Sequence, residues 1–139
     1  SILTDAAGVR RAGRALEVQG ICVWISEDPR QALAAAAALW FGGQPDTMVA
    51  VTGTNGKTSV ASFVRQIWTE MGLSAINLGT NGVLGAWQAP LSHTTPEPIT
   101  LHDTLSRAQA EGVTHAALEA SSHGLQQRRL EGCLCSLPG

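Results

Sequence analysis

The segment Val49-Ala50-Val51-Thr52-Gly53-Thr54-Asn55-Gly56-Lys57-Thr58-Ser59 constrains this chain more than any other. An apolar run that reads as a strand enters a glycine-containing turn, and the turn opens directly into a helix. Glycines there permit backbone angles closed to other residues and let successive N–H groups face an anion. The helix N-terminus adds its partial positive charge. Lys57 supplies a formal charge for β/γ-phosphates, and the Thr58 hydroxyl stands where a P-loop ligates Mg²⁺. The standard pattern asks for Gly at position 51, where this chain has Val, so the loop is a variant. The plain competing reading is an ordinary βα turn beside a surface lysine.

The rest of the chain alternates strand-like and helix-like segments. Thr4-Asp5 caps a first helix expected to run to about Leu16, and Ile21–Ile25 reads as a buried strand. Asp28 at the N-cap and Pro29 at the first helical position open a second helix, with Leu33, Ala36, Ala37 and Trp40 on its apolar face and Gly42-Gly43 at its end. Gln44-Pro45-Asp46 reads as a linker and is the expected domain boundary. Beyond it come a strand at Met48–Thr52, a helix at Lys57–Met71 and a strand at Ser74–Leu78. Val60, Phe63, Val64, Ile67 and Met71 form the periodic apolar face of that helix. Asn81-Gly82 signals a small hairpin within Gly79–Leu91. A loop at Thr94–Pro98 enters a helix at Ile99–Glu111 with the face Leu101, Leu105 and Ala108, and His115–Glu119 is the next strand. Strands separated by helices predict an α/β fold with a parallel sheet flanked by helices. Ligands in such folds gather at the carboxyl ends of strands.

A second polar constellation, Glu119-Ala120-Ser121-Ser122-His123-Gly124, follows that last strand. A carboxylate at a strand end beside a P-loop suits a Mg²⁺ ligand, against the alternative of a solvated loop acid. Ser121 and Ser122 equally suit a helix N-cap pair. Ser-Ser-His invites a hydrolase reading, but no G-x-S-x-G elbow surrounds it. Gln126, Gln127, Arg128 and Arg129 form a polar run at a helix-like start: a solvated face, or an arginine clamp for an anionic substrate. His102 and His115 read as structural.

Composition narrows the partners. With 9 Lys+Arg against 11 Asp+Glu there is no basic excess to neutralise nucleic-acid phosphates. No apolar run is long enough to span a membrane. Three cysteines, Cys22, Cys133 and Cys135, lack zinc-type spacing and read as reduced cytosolic thiols, which points to the cytoplasm; a monomer is expected.

Thr52-Gly53-Thr54-Asn55-Gly56-Lys57-Thr58 resembles the ATP loop of the Mur ligase family, which also lacks the leading Gly. Thr94-Thr95-Pro96-Glu97 and Glu119-Ala120-Ser121-Ser122-His123-Gly124-Leu125, followed by Gln127 and Arg129, resemble the branch acting on UDP-N-acetylmuramoyl-dipeptide. The resemblance implies that residues 46–139 are an incomplete central ATP-binding domain and that residues 1–45 close a small α/β N-terminal domain. It implies ATP and Mg²⁺ as cofactors. Gly53, Thr54, Asn55, Gly56, Lys57, Thr58 and Ser59 would hold ATP, with Thr58 and Glu119 on the metal, and Lys57 and Glu119 the catalytic groups. Thr94, Thr95, Ser121, Gln127 and Arg129 would contact UDP-MurNAc-dipeptide; His93 stands where many relatives have Asn.

The implied reaction activates a substrate carboxylate by phosphoryl transfer, and the amine of a third amino acid, diaminopimelate or lysine, attacks the acyl phosphate. The family's second metal-site His, its carbamylated Lys and its amino-acid-binding C-terminal domain have no counterpart in these 139 residues. The tail Cys133–Gly139 does not look like the family's next strand and suggests a frameshifted or truncated reading frame. Two further readings stand beside the ligase: another enzyme of the Mur and folylpolyglutamate synthetase superfamily, or a nucleotide-binding fragment without turnover.

Overall fold

A computed structural model of the chain describes residues 1–15 and 20–135. In chain order these are β1 (Ile2–Thr4), α1 (Ala6–Ala12), a 3-10 turn (Gly13–Ala15), β2 (Val23–Ile25), α2 (Pro29–Phe41), β3 (Thr47–Val51) and α3 (Lys57–Glu70). They are followed by β4 (Ala75–Gly79), β5 (Gly82–Gly85), α4 (Pro98–Ala110), β6 (His115–Glu119) and α5 (Ser122–Gln126). Four strands form one sheet in the order β3-β6-β4-β5, in which only β5 is antiparallel. The chain skips a strand position between β3 and β4, and β6 later fills the gap between them. That reversal leaves a crevice at the carboxyl ends of β3 and β6, where a doubly wound sheet binds ligands.

The period-two alternation of strands sorts the sheet into two faces. Ile76, Leu78, Ala116 and Leu118 join Met48 and Val83 against Leu101, Leu105 and Ala108 of α4, the face that the helical spacing predicts. The intervening positions turn to α3, and they are small or polar: Ala75, Asn77, Gly79 and Ala117. A helix lying on so shallow a surface buries small residues. Ala61 is its one fully buried side chain, and Arg65 Nε donates to the buried Asn77 Oδ1 at 2.8 Å. The expected apolar face of α3 therefore points outward, with Val60, Phe63, Ile67 and Met71 exposed.

Similar physics corrects α2. Asp28 caps it by accepting from the N–H groups of Arg30 and Gln31, Pro29 opens it, and Gly42 closes it in the left-handed region at φ 70°. Its buried residues are Ala34 and Ala37, because α2 lies close against α4, whereas Trp40 is 84% exposed. Phe41 O accepts from Ser106 Oγ at 3.2 Å, and Pro45 is buried, so residues 44–46 form a packed connection.

At the N-terminus β1 and β2 pair in a separate two-stranded parallel sheet, and β1 carries no signal in the sequence. With so small a sheet, Trp24 and Ile25 are exposed rather than buried. Asp5 caps α1 as expected, but the helix ends at Ala12; Leu16 lies outside the described residues. The hairpin predicted from Asn81-Gly82 is present, and its first strand is β4 itself, with Gly79 opposite Gly82. At the other end of the chain, Cys135 forms a parallel bridge to Met48, beginning to pair along the open edge of β3. The remainder of the tail, 136–139, lies outside the described residues. Cys22, Cys133 and Cys135 are free thiols; burial, and then the neighbouring Cys135, push the Cys133 thiol up to about 12.

The two faces of the sheet predict opposite costs for similar truncations. Leu105→Ala should lower unfolding stability by about 2–5 kcal/mol, while Phe63→Ala should stay within about 0.5 kcal/mol. Urea unfolding of the two variants measures both, and a larger loss for Phe63→Ala would return α3 to its expected orientation.

Candidate active site

The crevice is built at the ends of two neighbouring parallel strands. Val51, the last residue of β3, stands opposite Glu119, the last of β6, and Ala120 N donates to Val51 O at 2.8 Å. The P-loop leaves β3 and enters α3 through Gly56, which sits at φ 79° in the left-handed region that a Cβ disfavours. No side chain caps α3, so its first N–H groups open toward the crevice. Lys57 turns back over the loop, its Nζ donating to Gly53 O at 2.6 Å.

Glu119 is 2% exposed. A carboxylate taken out of water needs donors around it. Thr58 Oγ1 donates to Oε2 at 2.9 Å, Thr80 N to Oε1 at 3.2 Å, and Thr80 Oγ1 to Oε2 at 3.3 Å. The carboxylate also needs room. A Cβ at Gly79 would fall inside the Glu119 carboxylate, so only glycine fits at the end of β4. The solvated-acid alternative for Glu119 is thereby excluded.

This pair fits a small hard cation. Ligands on adjacent corners of an octahedron with ~2.0–2.1 Å bonds are roughly 2.8–3.0 Å apart. The 2.9 Å between Thr58 Oγ1 and Glu119 Oε2, the length of the hydrogen bond the two make, also suits that separation. Among the described residues no group of three His, Cys, Asp or Glu side chains gathers to hold a metal.

A second loop, at Thr94–Thr95, packs beside Thr80 and Glu119. Thr94 Oγ1 lies 3.0 Å from Thr80 Oγ1. Thr95 is buried, with its Oγ1 2.8 Å from Glu119 O and 3.1 Å from Ser121 Oγ, and it accepts from Ser121 N at 2.9 Å. Ser121 is itself the N-cap of α5, accepting from Gly124 N at 3.0 Å, so the capping reading holds for this serine. Gly124 leaves space for Thr95, whose Cγ2 a Cβ there would meet at 2.6 Å.

The polar run at 126–129 is not the start of a helix. It begins on Gln126, the last residue of α5, and Arg128 at φ 53° reverses the chain. Arg128 pairs with Asp28 and Glu131 on the surface, while Arg129 folds inward. Its Nη1 donates to Thr95 O at 2.7 Å, and Nε and Nη2 donate to Gln127 Oε1 at 2.9 and 2.7 Å. Gln127 and Arg129 line a cleft of about 180 Å³ with Arg30, Leu33, Glu97 and Pro98. A larger groove of about 450 Å³, beside Arg65, Thr69 and Gly85, holds none of the expected site residues.

The expected site residues thus fall into one connected region. Thr58, Glu119, Thr94, Thr95, Ser121, Gln127 and Arg129 are joined by hydrogen bonds, and Gly53, Thr54, Asn55, Gly56, Lys57 and Ser59 surround the start of α3. Thr80 and Gly79 were missed. The available signal was their place at the carboxyl end of β4, just ahead of Asn81-Gly82. His102 and His115 are structural, the first 3.0 Å from Glu131 O and the second edge-on to Trp68.

The architecture is that of a doubly wound α/β domain with a variant P-loop and an acidic residue on the adjacent strand. The Mur ligase middle domain matches residues 51–137, and the chain belongs to the Mur ligase family. It is 58% identical over 114 residues to the UDP-N-acetylmuramoyl-L-alanyl-D-glutamate--2,6-diaminopimelate ligase of Brucella melitensis, covering 81% of this chain and 23% of that protein. The ligase of the same name from Caulobacter vibrioides is 44% identical across 100% of this chain and 30% of its own length. A solved structure of such a ligase superposes with a TM-score of 0.72 at 31% identity, over 84% of this chain and 25% of that one. The chain therefore spans about a quarter of the length of the curated relatives it matches.

Two outcomes follow from this geometry. Gly79→Ala should cost about 1–3 kcal/mol through overpacking, and much less in a Glu119→Ala background, where the colliding carboxylate is gone. Equal costs in the two backgrounds, read from a double-mutant unfolding cycle, would place the collision elsewhere.

Glu97 caps α4. Burial opposes its charge, but bonds from the Thr100 hydroxyl and the N–H groups of Thr100 and Ile99, with Arg129 nearby, hold its carboxyl below the ordinary carboxylate range. A lowered folded-state pKa stabilises above the unfolded value, and that contribution is lost as pH falls through the folded one. The stability gap between the unaltered chain and Glu97→Gln should narrow from neutral pH to about pH 3. A gap that widens on acidification in pH-dependent unfolding contradicts the cap.

Proposed function

We propose that this chain is the nucleotide-binding part of an ATP-dependent amide ligase of peptidoglycan synthesis. The reaction adds diaminopimelate, the amino acid in its relatives' names, to UDP-MurNAc-L-Ala-D-Glu. The observation that carries the reading is the Glu119 carboxylate facing the Thr58 hydroxyl across 2.9 Å at the mouth of the P-loop. Residues 46–139 would belong to the ATP-binding domain and residues 1–45 to the end of the preceding substrate domain. The site would be cytoplasmic.

In this reading the free N–H groups at the start of α3 cradle the ATP phosphates, and Lys57 exchanges Gly53 O for phosphate oxygens. Thr58 and Glu119 would hold Mg²⁺. When bound, Mg²⁺ neutralises charge on the transferred phosphoryl group. Arg129, oriented by Gln127 and Thr95 O, presents its guanidinium in one fixed attitude to an anionic part of UDP-MurNAc-dipeptide. Thr94, Thr95 and Ser121 border the same substrate. The dipeptide carboxylate takes the γ-phosphoryl group as ADP leaves; the incoming amine then displaces phosphate from the acyl carbon. Positioning and charge stabilisation do most of this work.

Calorimetry should detect Mg·ATP binding to the chain, and Lys57→Ala should abolish it. Undiminished binding by that variant removes the P-loop assignment. With UDP-MurNAc-dipeptide and diaminopimelate added, the 139-residue chain should release no phosphate, whereas a version extended to its relatives' length should. Turnover by the chain alone would show that the remaining length of its relatives is dispensable.

A further inference from the structure

Thr80 sits between the two halves of the proposed site and belongs to neither. It follows β4 on the exposed hairpin turn, yet both its donors reach inward. Its N–H holds Glu119 Oε1 at 3.2 Å, and its hydroxyl lies 3.3 Å from Glu119 Oε2 and 3.0 Å from Thr94 Oγ1. A threonine hydroxyl carries a single proton, so it cannot donate to Glu119 and Thr94 together.

We infer that Thr80 is a positioning residue that couples occupancy of the Thr58–Glu119 cation site to the substrate loop at Thr94. The inference rests on the ligase reading above and extends it. An unneutralised Glu119 carboxylate attracts the Thr80 proton, because bonds to charged acceptors are the stronger ones. Thr94 then spends its own proton on Thr80 Oγ1. A cation on Glu119 Oε2 draws off that negative charge, and the Thr80 proton turns to Thr94. The Thr94 proton is released to an acceptor on the sugar-nucleotide substrate. The relay moves no heavy atom and transfers no proton between residues; it rotates two hydroxyls. Its sign is fixed: each ligand improves the affinity of the other, and by the same factor.

The test measures binding of a non-hydrolysable Mg·ATP analogue with and without UDP-MurNAc-L-Ala-D-Glu, by calorimetry on the full 139-residue chain. The unaltered chain should bind the analogue at least about fivefold more tightly in the presence of the second ligand. Thr80→Ser keeps the hydroxyl and should keep that ratio. Thr80→Val and Thr80→Ala keep the N–H to Glu119 and lose the hydroxyl, and their ratio should fall to about one. A purely structural role would shift both affinities and leave the ratio unchanged.

An undiminished ratio in the Val and Ala variants, or no ratio in the unaltered chain, overturns the coupling while leaving the ligase reading intact. Failure of the unaltered chain to bind the Mg·ATP analogue is a separate result. It overturns the ligase reading, and the coupling falls with it.

Discussion

The buried carboxylate of Glu119 is the constraint around which the rest of this molecule is arranged. A charge 2% exposed at a strand end is costly unless every neighbouring element contributes to holding it. α3 brings the Thr58 hydroxyl, the β4–β5 turn brings two donors from Thr80, and β4 gives up a side chain altogether at Gly79. Counting β6 itself, three stretches of chain meet here (the start of α3, the end of β4 with its turn, and the end of β6), and the strand order β3-β6-β4 brings them together. The order of the sheet and the chemistry of the crevice are therefore one requirement, not two.

Much of this was legible in the sequence because the signals were local. Gly56-Lys57-Thr58 after an apolar strand places a loop at a helix start, and Glu119 at the end of His115–Glu119 places an acid beside it. Asp5, Asp28 and Gly42 cap or end their helices as their residue types require. What could not be read was the depth of the opposing surface. The stripe Val60, Phe63, Ile67, Met71 has a clean helical period, but period alone does not say which side of a helix a sheet will present itself to. Ala75, Asn77, Gly79 and Ala117 make that sheet face shallow, so α3 turns Ala61 toward it. The same holds for α2, where close approach to α4 buries Ala34 and Ala37 and leaves Trp40 outside.

The residues around Thr95 show why a motif and a capping signal need not compete. Ser121 was open to either reading, and it performs the capping role through Gly124 N while its backbone N–H fixes the Thr95 hydroxyl. Arg129 then ties the same loop down through Thr95 O. A loop fastened at its centre by α5 and at its carbonyl by an arginine has little freedom left. Preorganisation of that kind lowers the ordering cost of taking up a ligand, which is the advantage of using one serine for both purposes.

The low charge of the chain acquires a meaning from this arrangement. With 9 basic and 11 acidic side chains it has no broad field to attract an anion, and discrimination must come from a few groups at short range. Most of the groups in the crevice are neutral hydroxyls and backbone N–H donors, which can reverse or redirect a hydrogen bond at almost no cost. Lys57 and Arg129 are the formal cations of the site, and each is occupied by backbone oxygen, Gly53 O in one case and Thr95 O in the other. In the proposed reading, a site built this way would take up an anion by exchanging existing hydrogen bonds for new ones. Its selectivity would then depend on whether a ligand can satisfy the donors it displaces, most of all around the buried Glu119 and Thr95, where a polar group left unpaired costs more than a single hydrogen bond returns.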